Sequence, residues 1–208
     1  MKPDQISPRA LAVKDLAGRS GVALGNTDRD ITGVTIAVGR NREAVQVSTR
    51  PEHETAIAKQ IAVRIGIALP LVPGDVAREG SLSGYRLAPG KWRIAGKPET
   101  PGSLASNVVA ALDGKPAYAT DIGQQLAIFR ISGPDVRRLL AKGSAVDFHP
   151  AHFPPDSGAQ TAWAGCHVLI DCKAGDCFEI QASRSQAVHL LEALSEAALE
   201  YRLTHDDG

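Results

Sequence analysis

Residues 121–155 read DIGQQLAIFRISGPDVRRLLAKGSAVDFHPAHFPP, and the reading of this stretch decides the fold. Leu126, Ile128 and the run 129–131 form a short apolar segment suited to a largely buried strand. Ser132-Gly133-Pro134 follows directly and starts a helix: Ser132 or Gly133 can cap it, and Pro134 fits a first turn whose N–H has no partner. Asp135 suits the positive end of the helix dipole, while Arg137, Arg138 and Lys142 lie toward the negative end. Val136, Leu139 and Leu140 fall on one stripe that faces the core, so the arginines are expected to project into solvent, and Gly143 ends the helix. Beyond it Pro150 pushes His149 out of helical geometry into an ordered, extended exit.

Working outward, residues 1–30 are polar and irregular and read as an arm or a frayed terminus. VTIAVGR and AVQVST then predict a hairpin around Arg40-Asn41-Arg42. Pro51 opens a helix through Ile65, with Ile57, Ile61 and Ile65 four apart as a core stripe and Gly66 as its stop. Leu69-Pro70-Leu71-Val72-Pro73-Gly74 has the composition of a joint between two halves. A tight hairpin is expected around Ala88-Pro89-Gly90, a helix capped by Ser103 with Leu104, Val108 and Leu112 on one side, and a strand over 117–120. Downstream, strands over 161–170 and 178–182 pair Val168 with Ile180 and Ile170 with Phe178, leaving 172–176 as a five-residue loop. A helix over 186–202 closes the chain with Ala187, Leu190, Leu191, Leu194, Ala198 and Tyr201 on one stripe, before a flexible tail at 204–208. Helices alternating with antiparallel hairpins define an α+β class, divided into an arm (1–30), a first half (31–72), a second half (73–203) and the tail.

With 208 residues the chain is long enough for a large core, and 23 basic against 23 acidic residues leave no net charge to attract nucleic acid or an anionic membrane. No apolar window is long enough to span a bilayer and the first residues lack a signal-peptide core, so the expected location is the cytoplasm. Three cysteines read as reduced thiols.

Two groups of side chains carry candidate chemistry. Cys166-His167, Cys172 and Cys177 supply metal-ligand atoms, but their spacing departs from paired zinc-ligand patterns, so an ordinary reduced hairpin is the reading. Asp147, His149 and His152 could aim a carboxylate and imidazoles at one ligand; the simpler account is a loop in which His149 bonds backbone and packs on Pro150 and Phe153. There is neither GxGxxG nor GxxxxGK[ST], so nothing points to a flavin or nucleotide pyrophosphate site on this chain, and no GxSxG context supports a serine nucleophile.

The segment GPDVRRLLAKGSAVDFHPAHFPPDSGAQT resembles the signature of the gamma subunit of heterotetrameric sarcosine oxidase and of N-methylglutamate dehydrogenase-type complexes. Gly133, Leu139, Lys142, Gly143, Asp147, His149, Pro150, Phe153 and Thr161 carry the likeness, supported by LPLVPGDVA (69–77) and LAPGKWRIAG (87–96). The resemblance implies ferredoxin-like halves similar to the folate-binding aminomethyltransferase domain. It also implies an accessory, non-catalytic role beside alpha, beta and delta subunits that demethylate an N-methyl amino acid oxidatively. FAD, FMN, NAD, tetrahydrofolate and zinc are then expected on the other subunits and none on this chain. Arg138, Lys142, Asp147, His149, Pro150 and Phe153 become the candidates for a partner interface. Ser144 stands where a cysteine is expected after Lys142-Gly143, which weakens the alternative of a free-standing folate-binding protein or enzyme of that fold.

Overall fold

The computed structural model describes residues 33–39, 43–97 and 103–201, and the backbone of 203–206; the arm expected at 1–30 lies outside these. Eleven strands and four helices are named among the described residues: β1 Val34–Val38, β2 Glu43–Thr49, α1 Glu54–Ile65, β3 Val76–Glu79, β4 Leu82–Ala88, β5 Lys91–Gly96, α2 Ser103–Ala111 and β6 Ala117–Asp121, then β7 Leu126–Ser132, α3 Val136–Gly143, β8 Gly158–Trp163, β9 Cys166–Ala174, β10 Cys177–Ser183, α4 Ala187–Ala197 and β11 Leu203–Asp206. They form two units, one of residues 41–126 with 155–160, the other of the residues before 41 with 127–154 and those from 161 on. The expected boundary at 72 and 73 falls inside the first of these. Its physical basis is misleading: the proline-rich run joins α1 to β3 within one unit, with Ile67 and Leu69 buried.

In the 41–126 unit the sheet order is β3-β4-β5-β2-β6. Without the edge strand β3, the path β2-α1-β4-β5-α2-β6 with β5 and β2 central is ferredoxin-like, as the resemblance implied. The helices cover one face, where Val45, Val47, Trp92 and Ile94 meet Ile57, Ile61, Leu104 and Val108; Ile65 sits at the rim of this cluster. Gly66 ends α1 at φ 90, its N–H on the carbonyl of Ala62 at 3.1 Å. The Pro89-Gly90 turn joins β4 to β5 as expected, with Ala88 opposite Lys91.

The other sheet has the order β11-β1-β7-β10-β9-β8. Here β7-α3-β9-β10-α4-β11 repeats the same path, with β1 wedged between β7 and β11. The expected β1–β2 hairpin is therefore corrected. β1 pairs antiparallel with β7 and parallel with β11, whereas β2 pairs with β5 and β6. Alternation makes both segments strands but does not choose their partners. The tail expected to be flexible contributes β11, in which Thr204, His205 and Asp206 lie opposite Thr35, Ile36 and Ala37. The closing helix stops at Ala197, five residues short of expectation, but its stripe of Ala187, Leu190, Leu191, Leu194, Ala198 and Tyr201 is buried.

Two further expectations shift. The strand over 161–170 is two strands, β8 and β9, joined by Ala164 (φ 48) and Gly165 (φ 79), the positive-φ pair of a tight hairpin turn. The β9–β10 register pairs Ile170 with Ile180 and Cys172 with Phe178, two residues from the expected one, so Cys172 is buried in the strand instead of looped. A slip of two leaves every side chain on its face, so the apolar pattern could not detect it; the bulge at Cys177 and Phe178 sets the register. Among the described residues, no helix is long and apolar enough to cross a membrane.

Candidate functional site

The site is built where α3 gives way to the segment 144–154. Asp135 takes the N-cap position, so Pro134 lies in the turn before the helix and not in its first turn. Val136, Leu139 and Leu140 are fully buried on the inner face. Gly143 ends the helix against Trp163: a Cβ there would lie 2.4 Å from the indole ring, so no larger residue fits without repacking. Trp163 Nε1 donates to the carbonyl of Leu140 at 2.9 Å, and the Ala164 N–H donates to that of Gly143 at 3.1 Å, which fixes where the exit segment begins.

Arg137 then holds the segment down. Its side chain is 13% exposed, contrary to the solvated face expected of it. Nη1 donates to the carbonyls of Phe148 (2.6 Å) and Phe153 (3.0 Å), while Nε and Nη2 reach the Gly175 carbonyl at 3.1 and 2.6 Å. The guanidinium lies 4.9 Å from the centroid of the Phe178 ring, and Phe148 and Phe153 pack with that ring as an aromatic cluster. One planar fork thus ties both ends of a four-residue knuckle, 149–152, to the β9–β10 turn.

The knuckle itself is exposed. Asp147 Oδ1 accepts the His149 N–H at 2.9 Å and Oδ2 faces His152 Nδ1 at 2.5 Å. The His149 N–H first, and His152 after it, hold the Asp147 carboxyl below its usual range. His149 Nδ1 accepts the Ala151 N–H at 3.2 Å, so in the neutral ring the proton sits on Nε2; the His149 carbonyl accepts from His152 and Phe153 N–H. The backbone bond expected of His149 is present, and a turn over 150–152 starts from its carbonyl.

The remaining sequence candidates divide. Phe153 is buried in the aromatic cluster and Lys142 is turned onto its own unit: Nζ donates to the Ala197 carbonyl at 2.7 Å, pairs with Glu200 and lies 4.6 Å from the Tyr201 ring centroid. Arg138 is 73% exposed, held by Asp135 at 3.0 Å and 5.5 Å from the same ring. Burial, reinforced by Glu200, pushes the Tyr201 phenol up to about 12. Arg138, Lys142, Asp147, His149 and Pro150 are the exposed members of the set, and Phe153 is the buried one. The Ser144 hydroxyl faces that of Thr161 at 2.9 Å and accepts the Val146 N–H at 3.2 Å. Cys166 and Cys172 are buried, and among the described residues no group of three His, Cys, Asp or Glu is arranged to hold a metal ion. Reading the sequence missed Arg137; the available signal was the pair of phenylalanines bracketing a proline-bearing loop, since two rings in a loop require cover.

Paired ferredoxin-like units with an arginine-clamped, histidine-bearing knuckle define a small α+β protein whose most exposed specific feature is a surface. Residues 48–200 match the sarcosine oxidase, gamma subunit family, and the chain belongs to that family. The sarcosine oxidase subunit gamma of Arthrobacter sp. is 32% identical over 130 residues, which cover 61% of this chain and 62% of the relative, so the match spans under two thirds of that relative's length. The subunit gamma of Corynebacterium sp. (strain P-1) is 29% identical over 81% of this chain and 85% of its own. Among solved structures, a chain of heterotetrameric sarcosine oxidase from Corynebacterium sp. U-96 matches with a TM-score of 0.76 and 22% identity over 90% of this chain and 95% of that one. Aminomethyltransferase T of the glycine cleavage system from Bartonella henselae matches with a TM-score of 0.61 and 12% identity, covering 84% of this chain and 48% of that one. Both structural likenesses bear on the fold alone, and the second agrees with the aminomethyltransferase-like fold expected.

Proposed function

We propose that this chain is the accessory gamma subunit of a heterotetrameric, sarcosine oxidase-like complex that demethylates an N-methyl amino acid oxidatively. In this reading alpha, beta and delta subunits carry FAD, FMN, NAD, tetrahydrofolate and zinc, and the complex works in the cytoplasm. The chain contributes by binding, not by chemistry. The family match over residues 48–200 carries the reading. The knuckle supports it, because a loop already held in one shape by Arg137 loses little freedom when a partner covers it. Arg138, Asp147, His149 and Pro150 would face the partner directly, with Lys142 exposed beside them on Glu200 and Tyr201, while Phe153 supports the surface from beneath.

The test is the native mass and visible spectrum of the tagged chain purified from its own cells. A yellow species several times 21.9 kDa with three other chains is the expected result; a colourless species near 21.9 kDa overturns the reading. His149→Ala is expected to weaken assembly at least several-fold while leaving turnover of the assembled complex unchanged. Equal assembly with lost turnover would make His149 catalytic.

A further inference from the structure

The two edges of the five-stranded sheet are finished differently. β3 carries Arg78 and Glu79 and is covered by the segment 155–160: the Val76 N–H donates to Asp156, the Gly158 N–H to Gly74, and Asp75 bridges Ser157. The edge at β6, AYATD, has no such cover among the described residues. The Ile122 N–H donates to the Ala44 carbonyl at 2.8 Å, and pairs in this ladder keep that register: Thr120 with Gln46 and Tyr118 with Ser48. By the alternation of an antiparallel ladder, Tyr118 and Thr120 direct their backbone groups to β2, and Ala119 and Asp121 direct theirs outward.

The one charged residue of this strand, Asp121, turns its carboxylate back onto the Gly123 N–H at 2.9 Å. The strand holds no lysine, bulge or internal proline of the kind that blunts exposed edges, and Tyr118 is 80% exposed. The helix packed on its inner side, α2, has no charged residue and leaves Val109 exposed. At the Ala117 end of the strand a cleft of about 440 Å³ is lined by Ser48, Thr49, Arg50, His53, Pro116 and Tyr118. Arg50 is 81% exposed there, and Glu52 stands 3.9 Å from it, a loose pair that a better-placed carboxylate can replace.

We propose that the outer edge of β6 accepts an extended segment of a partner subunit as an added strand, with an acidic side chain of that segment seated on Arg50 in the cleft beside Tyr118. Backbone bonds to Ala119 and Asp121 would give affinity, and the cleft specificity. This rests on the subunit reading above.

Hydrogen exchange of the full chain, alone and in the assembled complex, tests it. The amides of Ala119 and Asp121 are expected to slow at least tenfold on assembly, while that of Thr120, already directed to β2, changes little. Ala119→Pro removes an outward N–H on an edge strand, where proline is tolerated, so it is expected to leave the urea midpoint of the isolated chain unchanged and weaken assembly at least tenfold. Arg50→Glu should weaken assembly several-fold, and wild-type assembly by this variant would overturn the acidic segment. A complex that forms with Ala119 and Asp121 still exchanging freely overturns the strand site and leaves the subunit reading intact. Protection already present in the isolated chain overturns it too: loss on deleting residues 1–30 would make the occupant the chain's own start, and dependence on chain concentration a second copy. Failure to form any complex overturns the subunit reading and this inference with it.

Discussion

The two units follow one path, yet they finish the connection from first helix to next strand in opposite ways. In the 41–126 unit, the first part of the connection is drawn inward: Ile67 and Leu69 are buried, and the Trp92 Nε1–H donates to the Pro70 carbonyl at 2.8 Å, a neutral bond. In the other unit, residues 149–152 stand outward, and a charged fork satisfies three carbonyls to hold them. A connection that buries apolar side chains is stabilised by the same burial as the rest of the core. One that presents Asp147, His149 and His152 to solvent buries only Phe148 and Phe153 at the two ends of its knuckle, so the rigidity of 149–152 between them comes from directed, charge-assisted bonds.

That contrast predicts unequal damage. Arg137→Ala would leave the Phe148, Phe153 and Gly175 carbonyls without their donor, a loss of about 3 kcal/mol or more in urea unfolding. Arg137→Lys should recover little, since an ammonium cannot reproduce the fork. Trp92→Phe removes one neutral bond, worth about 1 kcal/mol, and puts a smaller phenyl where a fully buried indole was, so a cavity cost is added to it. If the two substitutions prove equal, the knuckle is held by its aromatic cluster and not by the clamp.

The helix ends sharpen the comparison at a smaller scale. Gly66 has φ 90 and open space around it, so Gly66→Ala meets only backbone strain, about 1 kcal/mol. Gly143 lies in contact with the Trp163 ring, so Gly143→Ala must move an indole and is expected to cost about 1–3 kcal/mol. Thermal unfolding of both variants measures the difference. The ordering reverses only if the Trp163 ring has room to withdraw.

Much of this architecture is legible in the residues themselves. Val136, Leu139 and Leu140 mark α3, and Ile57 and Ile61 mark α1, because a buried stripe repeats at the helical period. What a periodic pattern does not encode is partnership. Val34–Val38 looks like the first strand of a hairpin with the next strand, but it is inserted between two strands from the far end of the chain. The β9–β10 register slips by two residues unseen, since period two is preserved. In the site, Asp147 and His149 stand out because proline and aspartate restrict their neighbours, whereas Arg137 looks like any helix-surface arginine until the loop folds back over it. The fold class and the exposed half of the site are thus local properties; the clamp arises from residues 11 to 38 positions apart.

The smallest expected effect separates the knuckle from its clamp by pH. The Asp147 carboxyl lies below its usual range because the charged form accepts the His149 N–H and faces His152. A lowered folded value means that this contribution is fully present above the ordinary carboxyl pKa of about 3.9 and is lost as pH falls through the lower folded value. The hydrogen bonds of the Arg137 clamp end on the carbonyls of Phe148, Phe153 and Gly175, which take up no proton in that window, so they should persist through it. Following the Asp147 carboxyl carbon and the Arg137 side-chain resonances by NMR between neutral and strongly acid pH should show the first moving late and the second still. In Asp147→Asn the acid transition of the His149 amide should vanish while the Arg137 signals keep their positions. Titration of Asp147 at the ordinary carboxyl value would mean that the knuckle bonds are not formed in solution, and the surface offered to a partner would then have to be shaped by the partner itself.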